Sequence, residues 1–227
     1  MASVTWLGHA SFEVNLGGSI IYFDPWFDQK PRQMQRLVSP GIQNVDSIRK
    51  ADAIMISHEH FDHCDPYDVT RISQKTFATV VAPDQTLALL TDVSPRQKMA
   101  VQTGDEFTLH GLNVSVTPAR HPQSINPVGY IVEKNGKSVY FAGDTYDFFE
   151  MGQINVDVAL IPIGGTYTMD IYGALSAIKR IKARFVVPMH FNTFEKIMVD
   201  SHDFAKRSQG NGRAEVKVLQ IGQTLDF

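Results

Sequence analysis

One seven-residue stretch constrains this chain more than any other. It is Ser57-His58-Glu59-His60-Phe61-Asp62-His63, and it directly follows an apolar run at residues 53–56. Three imidazoles and the Asp62 carboxylate this close together make a poor core segment, because each buried imidazole needs a hydrogen-bond partner. The same groups are good ligands for zinc, manganese or iron, and a loop at a strand end can aim several of them at one point. The stretch predicts a metal site, with a polar surface loop as the alternative.

Hydrophobic periodicity predicts that this loop lies in an α/β chain. Residues 3–23 alternate between apolar and polar around Gly8-His9 and Gly17-Gly18, which predicts two or three strands. Further strands are expected at residues 53–57, 77–82, 107–109, 112–117, 128–134, 138–142, 156–163, 185–189 and 216–221. Helices are expected at residues 46–50, 65–74, 84–90, 174–181 and 203–207. Both halves place antiparallel strands before strand-helix-strand units, so we expect two packed sheets with outer helices in one domain, residues 1–227.

Three further candidate ligands each follow a predicted strand. His121 follows the strand at 112–117, Asp144 follows 138–142, and His190 follows 185–189. Because strand ends of one sheet share an edge, these side chains can converge although they are far apart in sequence.

Five motifs in this order resemble the signature of the metallo-β-lactamase superfamily. They are Asp24, the loop at 58–63, His121, Asp144 within Gly143-Asp144-Thr145, and His190. The segments Trp6-Leu7-Gly8-His9-Ala10-Ser11-Phe12 and Gly164-Gly165-Thr166-Tyr167-Thr168-Met169-Asp170 more specifically resemble the branch of L-ascorbate-6-phosphate lactonase-like and UPF0173 metal-dependent hydrolases. The resemblance covers essentially the whole chain.

The resemblance implies an α/β (α+β) four-layer αββα sandwich with two divalent metal ions at a shared sheet edge. It assigns one metal to His58, His60 and His121, the other to Asp62, His63 and His190, and a bridging position to Asp144. Asp24 would orient a ligand imidazole from behind. Zinc is the expected metal, with manganese, iron or nickel as alternatives. A bridging water that ionises near neutral pH would then attack a carbonyl or a phosphorus atom.

Three residues are candidates for catalysis: Asp62, His9 and Asp170. His9 lies between two early strands, and the resemblance suggests a general acid or a substrate contact, with a structural hydrogen bond as the alternative. Asp170 opens a helix after a glycine pair and would contact substrate or a ligand histidine. Its alternative is to complement the helix N-terminus, with Thr168 or Asp170 as the cap.

Several other residues have two interpretations each. The loop at 26–43, which carries Arg32, Met34 and Arg36, is either a lid over substrate or a surface excursion. Arg120 would bind an anionic group or form a surface salt bridge, and Tyr167 would hydrogen-bond substrate or only pack. Apolar residues after strand ends predict either a pocket wall or an interface: Phe148, Phe149, Met151 and Phe194.

The composition of the chain limits the kinds of binding partner that we expect for the protein. A net charge of −3 and a pI near 6.2 do not favour the extended basic face with which proteins hold nucleic acid. The single cysteine, Cys64, fits a reducing compartment. No signal-peptide pattern or membrane-length apolar window is present, so we expect a cytoplasmic protein without membrane association. The expected partner is a small-molecule substrate, and a homo-oligomer stays open.

The leading functional hypothesis is a binuclear metal-dependent hydrolase acting on a small anionic ester, lactone or phosphodiester. One alternative is a metal-dependent nuclease, since the same metal loop serves RNA-processing members of the superfamily. Another is a non-catalytic regulatory protein that keeps the fold. Lost ligands would mark that case, and all seven predicted ligands are present.

Overall fold

A computed structural model describes residues 1–27, 36–210 and 214–227. Arg32 and Met34 of the predicted lid therefore lie outside the described residues. None of the helices in the described part of the chain combines the length and the apolar character needed to cross a membrane.

Two mixed sheets form the centre of the molecule. The first has the strand order β14-β1-β2-β3-β4-β5-β6. Its strands are β1 (Ala2–Gly8), β2 (Ser11–Leu16), β3 (Ser19–Phe23), β4 (Ala53–Met55), β5 (Thr79–Ala82), β6 (Lys98–Ala100) and β14 (Thr224–Asp226). The first three strands pair antiparallel, and β3 to β6 run parallel.

The second sheet has the strand order β13-β12-β11-β10-β9-β8-β7. Its strands are β7 (Glu106–Leu109), β8 (Leu112–Pro118), β9 (Val128–Lys134), β10 (Lys137–Phe141), β11 (Asn155–Pro162), β12 (Lys182–Met189) and β13 (Glu215–Val216). It repeats the plan of the first sheet: β7 to β10 are antiparallel, and β10 to β13 are parallel. The turn between β9 and β10 has positive φ at Asn135 and Gly136, as a type I′ hairpin turn requires.

The core lies between the two sheets. Phe23 of the first sheet stacks on Phe141 of the second with ring centroids 4.7 Å apart, and Phe12 contacts the same ring edge-on. Burying each such side chain stabilises the fold by about 1.5–3 kcal/mol. The sheets are therefore packed face to face without help from a metal.

Helices cover the outer faces. They are α1 (Pro66–Thr76), α2 (Asp84–Leu89), α3 (Ile171–Arg180) and α4 (Ser201–Ser208). Val69 and Ile72 of α1 join Ile54 in a cluster on the first sheet, and Ala174 and Ile178 of α3 join the core cluster of the second. Helix, sheet, sheet and helix are the four layers predicted from the sequence, so the predicted fold is confirmed.

Two local predictions need correction, and two short strands were not predicted. The helix predicted at 46–50 is only a 3-10 turn at Val45–Ser47, because so short a segment does not recover the cost of helix nucleation. The strand predicted at 216–221 ends at Val216, and the chain instead forms β14, which pairs with β1. Strand β6 was not predicted. Short edge strands depend on a neighbour's hydrogen bonds more than on their own sequence pattern.

Candidate metal centre

Most candidate ligands lie at the carboxyl ends of strands in the parallel part of a sheet, where a sheet of this type presents its binding crevice, and His121 follows the antiparallel strand β8. Asp24 follows β3, the loop at 58–63 follows β4, Asp144 follows β10, and His190 follows β12. His9, Asp24 and His190 have left-handed backbone conformations, with φ of 55°, 39° and 56°. Residues other than glycine rarely adopt this conformation, because it is strained for them. It occurs mainly where a turn has to orient a side chain.

Two glycines allow the strand ends to approach one another. A Cβ atom at Gly143 would lie 2.7 Å from the Ser57 Cβ, and a Cβ atom at Gly164 would lie 2.1 Å from the His190 carbonyl oxygen. Both distances are shorter than atoms tolerate, so glycine is required for Asp144 and His190 to reach the loop that follows β4.

His58, His60 and His121 form a group that we call the three-histidine cluster. Each ring has one nitrogen directed toward an oxygen outside the cluster. His58 Nδ1 lies 2.9 Å from Ser57 Oγ, His60 Nε2 lies 3.1 Å from the Gln123 carbonyl oxygen, and His121 Nδ1 lies 3.2 Å from the Tyr167 carbonyl oxygen. The carbonyl oxygens can only accept, and the Ser57 hydroxyl donates to Asp24. The outer nitrogens must therefore carry the ring protons.

The inner nitrogens of the three-histidine cluster face one another, and those of His58 and His121 are unprotonated because burial lowers the pKa of both rings. His60 Nδ1 lies 3.0 Å from His58 Nε2 and 3.3 Å from His121 Nε2. Lone pairs at this separation repel unless a cation or a proton lies between them. Tetrahedral zinc with nitrogen ligands would hold these atoms roughly 3.4 Å apart. The donor set thus fits a metal.

Asp62, His63 and His190 form a second group, which we call the mixed cluster. His63 Nδ1 donates to Asp24 Oδ2 at 2.7 Å, so His63 Nε2 is directed inward. That nitrogen has no hydrogen-bond partner among the described residues, although Asp144 Oδ1 is 3.3 Å away. Asp62 Oδ2 lies 4.0 Å from His190 Nε2. Imidazoles and a carboxylate around unpartnered atoms also fit a metal.

Asp144 lies between the two clusters. Its Oδ2 atom is 3.2 Å from His190 Nε2 in the mixed cluster and 3.9 Å from His121 Nε2 in the three-histidine cluster. Its Oδ1 atom is the one directed at His63. A carboxylate with contacts on both sides is placed where a bridging ligand would be.

Asp24 supports both clusters from behind. Its carboxylate accepts from the Ser57 backbone N–H at 2.7 Å, from Ser57 Oγ at 2.5 Å and from His63 Nδ1. Through His63 it orients the mixed cluster, and through the Ser57 hydroxyl, which accepts from His58, it orients the three-histidine cluster. This is the position that an orienting carboxylate behind a metal site requires.

Burial and charge set the protonation states. Burial, reinforced by the neighbouring His63, lowers the pKa of His58 well below its ordinary value, and burial also lowers the pKa of His121. Both rings are therefore neutral, as metal ligands must be. Burial alone would raise the pKa of Asp144, but His190 and His63 outweigh it and hold that pKa well below its usual range. Burial alone would lower the pKa of His63. The neighbouring Asp144 carboxylate outweighs burial, so the pKa of His63 lies well above its ordinary value.

His9 is completely buried and does not line the cavity beside the cluster. Burial lowers the pKa of its ring to about 3, so the ring is neutral. Asp62 is ionised, because nearby histidines outweigh burial and keep its pKa below the usual range. His9 Nε2 must then donate to Asp62 Oδ2 at 3.1 Å, and His9 Nδ1 accepts from the Thr193 hydroxyl at 3.0 Å. These contacts support the structural alternative for His9.

The cavity at the centre has a volume of about 280 Å³. Ligand side chains form one part of its lining, among them His60, Asp62 and Asp144. The rest consists of Phe61, Gln123, Tyr167, Phe194 and Ile197. The Glu59 carboxylate accepts from the Ser124 hydroxyl and the Ile125 backbone N–H, which ties the loop carrying His121 and Gln123 to the metal loop.

Asp170 lies apart from the ligands. Its side chain is exposed and caps α3 by accepting from the Gly173 backbone N–H at 2.8 Å. The capping alternative accounts for this position, and the catalytic role of Asp170 stays a prediction. Arg120 forms an exposed ion pair with Glu150 at 3.9 Å, as its surface alternative requires.

The apolar candidates separate into different environments. Phe194 lines the cavity, Met151 is buried in the core and Phe149 is 82% exposed. Tyr167 lines the cavity. No role in the site was predicted for Ser57, Gln123, Thr193 or Ile197. Only Ser57 carried a signal, since it adjoins the metal loop. The others depend on contacts between distant segments.

Comparison with known proteins agrees with this geometry. The family model described as the β-lactamase superfamily domain matches residues 20–191. The chain is 34% identical to a UPF0173 metal-dependent hydrolase of Ignicoccus hospitalis, with 99% of this chain and 97% of that protein covered. It is 36% identical to a UPF0173 metal-dependent hydrolase of Pyrobaculum aerophilum, with 98% of each chain covered.

Solved structures give the same result. The metallo hydrolase Igni18 from Ignicoccus hospitalis superposes with a TM-score of 0.84 at 34% identity, covering 100% of this chain and 99% of that one. An isothiocyanate hydrolase from Delia radicum gut bacteria superposes with a TM-score of 0.80 at 16% identity, covering 99% of both chains, which shows a shared fold only.

Proposed function

The chain belongs to the UPF0173 metal-dependent hydrolases of the β-lactamase superfamily, and from that premise we propose that it is a binuclear enzyme for a small anionic ester, lactone or phosphodiester. His58, His60 and His121 would hold one metal ion, and Asp62, His63 and His190 the other. Asp144 would be shared between them.

One observation carries the proposal. The outer nitrogens of His58, His60 and His121 each face an oxygen, so the inner nitrogens of His58 and His121 lie 3.0 and 3.3 Å from the His60 Nδ1 atom. A protein that uses these rings only for packing gains nothing from this repulsive arrangement. The donor set of neutral imidazoles and carboxylates supports zinc first, with manganese, iron or nickel as alternatives.

Two such ions would supply Lewis acidity toward a substrate oxygen and would lower the pKa of a bound water toward neutrality. The chain's own residues do the positioning. Asp24 and Ser57 fix the rings of His63 and His58, and the His9 N–H fixes Asp62. Asp62 lines the cavity in its ionised form, so it is the candidate to accept a hydrogen bond from the attacking water and to orient it.

The cavity volume of about 280 Å³ supports a small substrate, because it lies at the lower limit for ligand pockets, which span roughly 300–1,000 Å³. A nucleic-acid chain would need cationic groups along the approach to the centre, and the described lining contains no lysine or arginine. These features favour a small molecule over RNA or DNA.

The test combines metal analysis with a substrate panel. Purified protein is expected to hold two metal ions per chain by plasma mass spectrometry. It should hydrolyse members of a panel of p-nitrophenyl phosphodiesters, lactones and thioesters, lose activity on dialysis against a chelator and regain it with zinc. Turnover of RNA alone would establish the nuclease alternative. Failure to bind metal at micromolar zinc would leave only the regulatory alternative.

A further inference from the structure

The cavity beside the metal centre has an apolar wall formed by Phe61, Phe194 and Ile197. The ring of Trp26 backs this wall, with centroids 5.7 Å from Phe61 and 5.6 Å from Phe194. Trp26 and Ile197 are each only 1% exposed, so they hold the wall from inside the fold. Such a wall is already formed before a ligand binds, which lowers the cost of binding.

The Trp26 side chain behind the wall is held in place by contacts of its own. The Trp26 backbone N–H donates to Ser11 Oγ at 3.0 Å, and the Arg36 guanidinium lies 4.1 Å from the Trp26 ring centroid. Arg36 Nη1 also donates to the Trp26 carbonyl oxygen. Contacts on several sides keep the ring in one position.

Among the described residues, charge at the cavity is confined to the metal-ligand part. Of the described residues that line it, the ionisable ones other than Tyr167 are the ligand candidates His60, Asp62, His121, Asp144 and His190. Gln123 and Tyr167 offer neutral hydrogen-bonding groups. A substrate with a second charged group away from the reacting bond would therefore lose hydration without gaining a counter-charge from this wall.

The available space sets the size of the complementary group. A dry cavity of roughly 150 Å³ already accommodates benzene. The volume of about 280 Å³ therefore holds one aromatic ring together with a reacting ester or phosphoryl group. An extended chain would have to leave the cavity.

We propose that the substrate carries a compact apolar group, an aryl ring or a branched alkyl group, next to the bond that is cleaved, and that Phe61, Phe194 and Ile197 select it. Any negative charge of the substrate lies in the reacting group, beside the metal ligands. The proposal rests on the proposed hydrolase function for the position of that group. The proposal distinguishes this site from one that binds a phosphorylated sugar, because such a sugar would place a second anionic group against the apolar wall.

The first test measures binding instead of turnover. Phenylphosphonate, methylphosphonate and 4-carboxyphenylphosphonate present the same head group to the metal-loaded protein and differ only in the rest of the molecule. Calorimetric titration should show phenylphosphonate binding about tenfold tighter than each of the other two, as expected for burial of one ring without a second charge. Equal affinities, or tighter binding of the carboxylated ring, would overturn the proposal.

A variant then identifies the wall. Phe194→Ala should weaken phenylphosphonate binding about five- to tenfold and leave inorganic phosphate, which contacts only the metal centre, within twofold. Phe194→Leu keeps apolar contact and should recover most of the affinity, and it serves as the folding-tolerant variant. The matched control is Phe77→Ala, which removes a ring that is 80% exposed at the end of α1. A loss of phosphate and phenylphosphonate affinity in equal proportion would contradict a selective role for Phe194.

A hydrolysis assay separates this proposal from the proposed function. If phenylphosphonate binds selectively but no ester, lactone or phosphodiester is turned over, the hydrolase substrate assignment fails and the apolar wall stands. If S-methyl thioisobutyrate, which has a branched alkyl group beside the reacting carbonyl, and S-methyl thioacetate, which has only a methyl group there, are hydrolysed with equal kcat/KM, the enzyme assignment stands and the apolar selection fails.

Discussion

The two clusters of the metal centre balance charge in different ways. In the three-histidine cluster, outer hydrogen bonds direct three inner nitrogens toward one another, and a bound cation would relieve the repulsion between their lone pairs. In the mixed cluster, Asp62 accepts from His9, and Asp144 lies against His63 and His190, so the negative charges already have partners. The first cluster is therefore organised for a metal alone, whereas the second can neutralise itself. We expect the first to bind its metal ion more tightly.

The largest effect is expected from His60→Ala. This change removes a ligand from the tighter cluster, so kcat/KM should fall by about 10³-fold or more, which corresponds to several kcal/mol of transition-state stabilisation. Metal analysis should show about one ion fewer per chain. The circular-dichroism spectrum should be unchanged, because the sheets pack without the metal. A lost native spectrum would show that the site is structural.

The variants Asp24→Asn and Ser57→Ala test whether the two clusters are supported separately. Asp24 contacts both clusters, whereas the Ser57 hydroxyl contacts only His58 among the ligands. Loss of an orienting partner lowers metal affinity by about 10–100-fold. Competition with a chromogenic chelator should show weakening of both sites in Asp24→Asn and chiefly of the tighter site in Ser57→Ala. Identical profiles for the two variants would argue against separate support.

His9→Phe tests the mixed cluster alone. Phenylalanine keeps a ring but has no N–H to hold Asp62, so the affinity of the weaker metal site should fall by about tenfold, and the tighter site should not change. Thr193→Val is the matched variant one step further out, and its effect should be smaller because His9 remains. A fall in the affinity of the tighter site instead would break the comparison between the clusters.

The smallest effect on chemistry is expected outside both clusters, at Asp170. Asp170→Ala should lower the free energy of unfolding by about 1 kcal/mol through loss of the α3 cap. Asp170→Asn should restore most of it, since asparagine also caps helices. Both variants should keep kcat/KM within twofold. A tenfold loss in Asp170→Asn with unchanged stability would establish the catalytic role instead.

Much of the fold was predictable because its signals are local. The apolar run of β11 and the Asn135-Gly136 turn can each be predicted from a few neighbouring residues. The closely spaced ligands of the loop at 58–63 predict a metal site. The incorrect predictions have a non-local cause. Strand β14 and the shortened β13 are edge strands, and their existence depends on the partner that they meet.

The site was predictable in its ligand types but not in its surroundings. Nothing in the neighbourhood of Thr193 or Ile197 distinguishes a site residue from a core residue. Thr193 reaches His9 across 184 residues of sequence, and the Glu59 contact to Ser124 spans 65. Such contacts form only after the two sheets have packed together.

The sequence by itself determined the four-layer fold and the kind of chemistry, because hydrophobic period and the ligand-rich loop are written in neighbouring residues. Only the tertiary structure decided how each imidazole is protonated, that Asp24 supports both clusters, and that an apolar wall borders the centre. The physical reason is that a hydrogen bond fixes a tautomer, and a wall excludes charge, only when side chains from distant strands come within a few ångströms of one another.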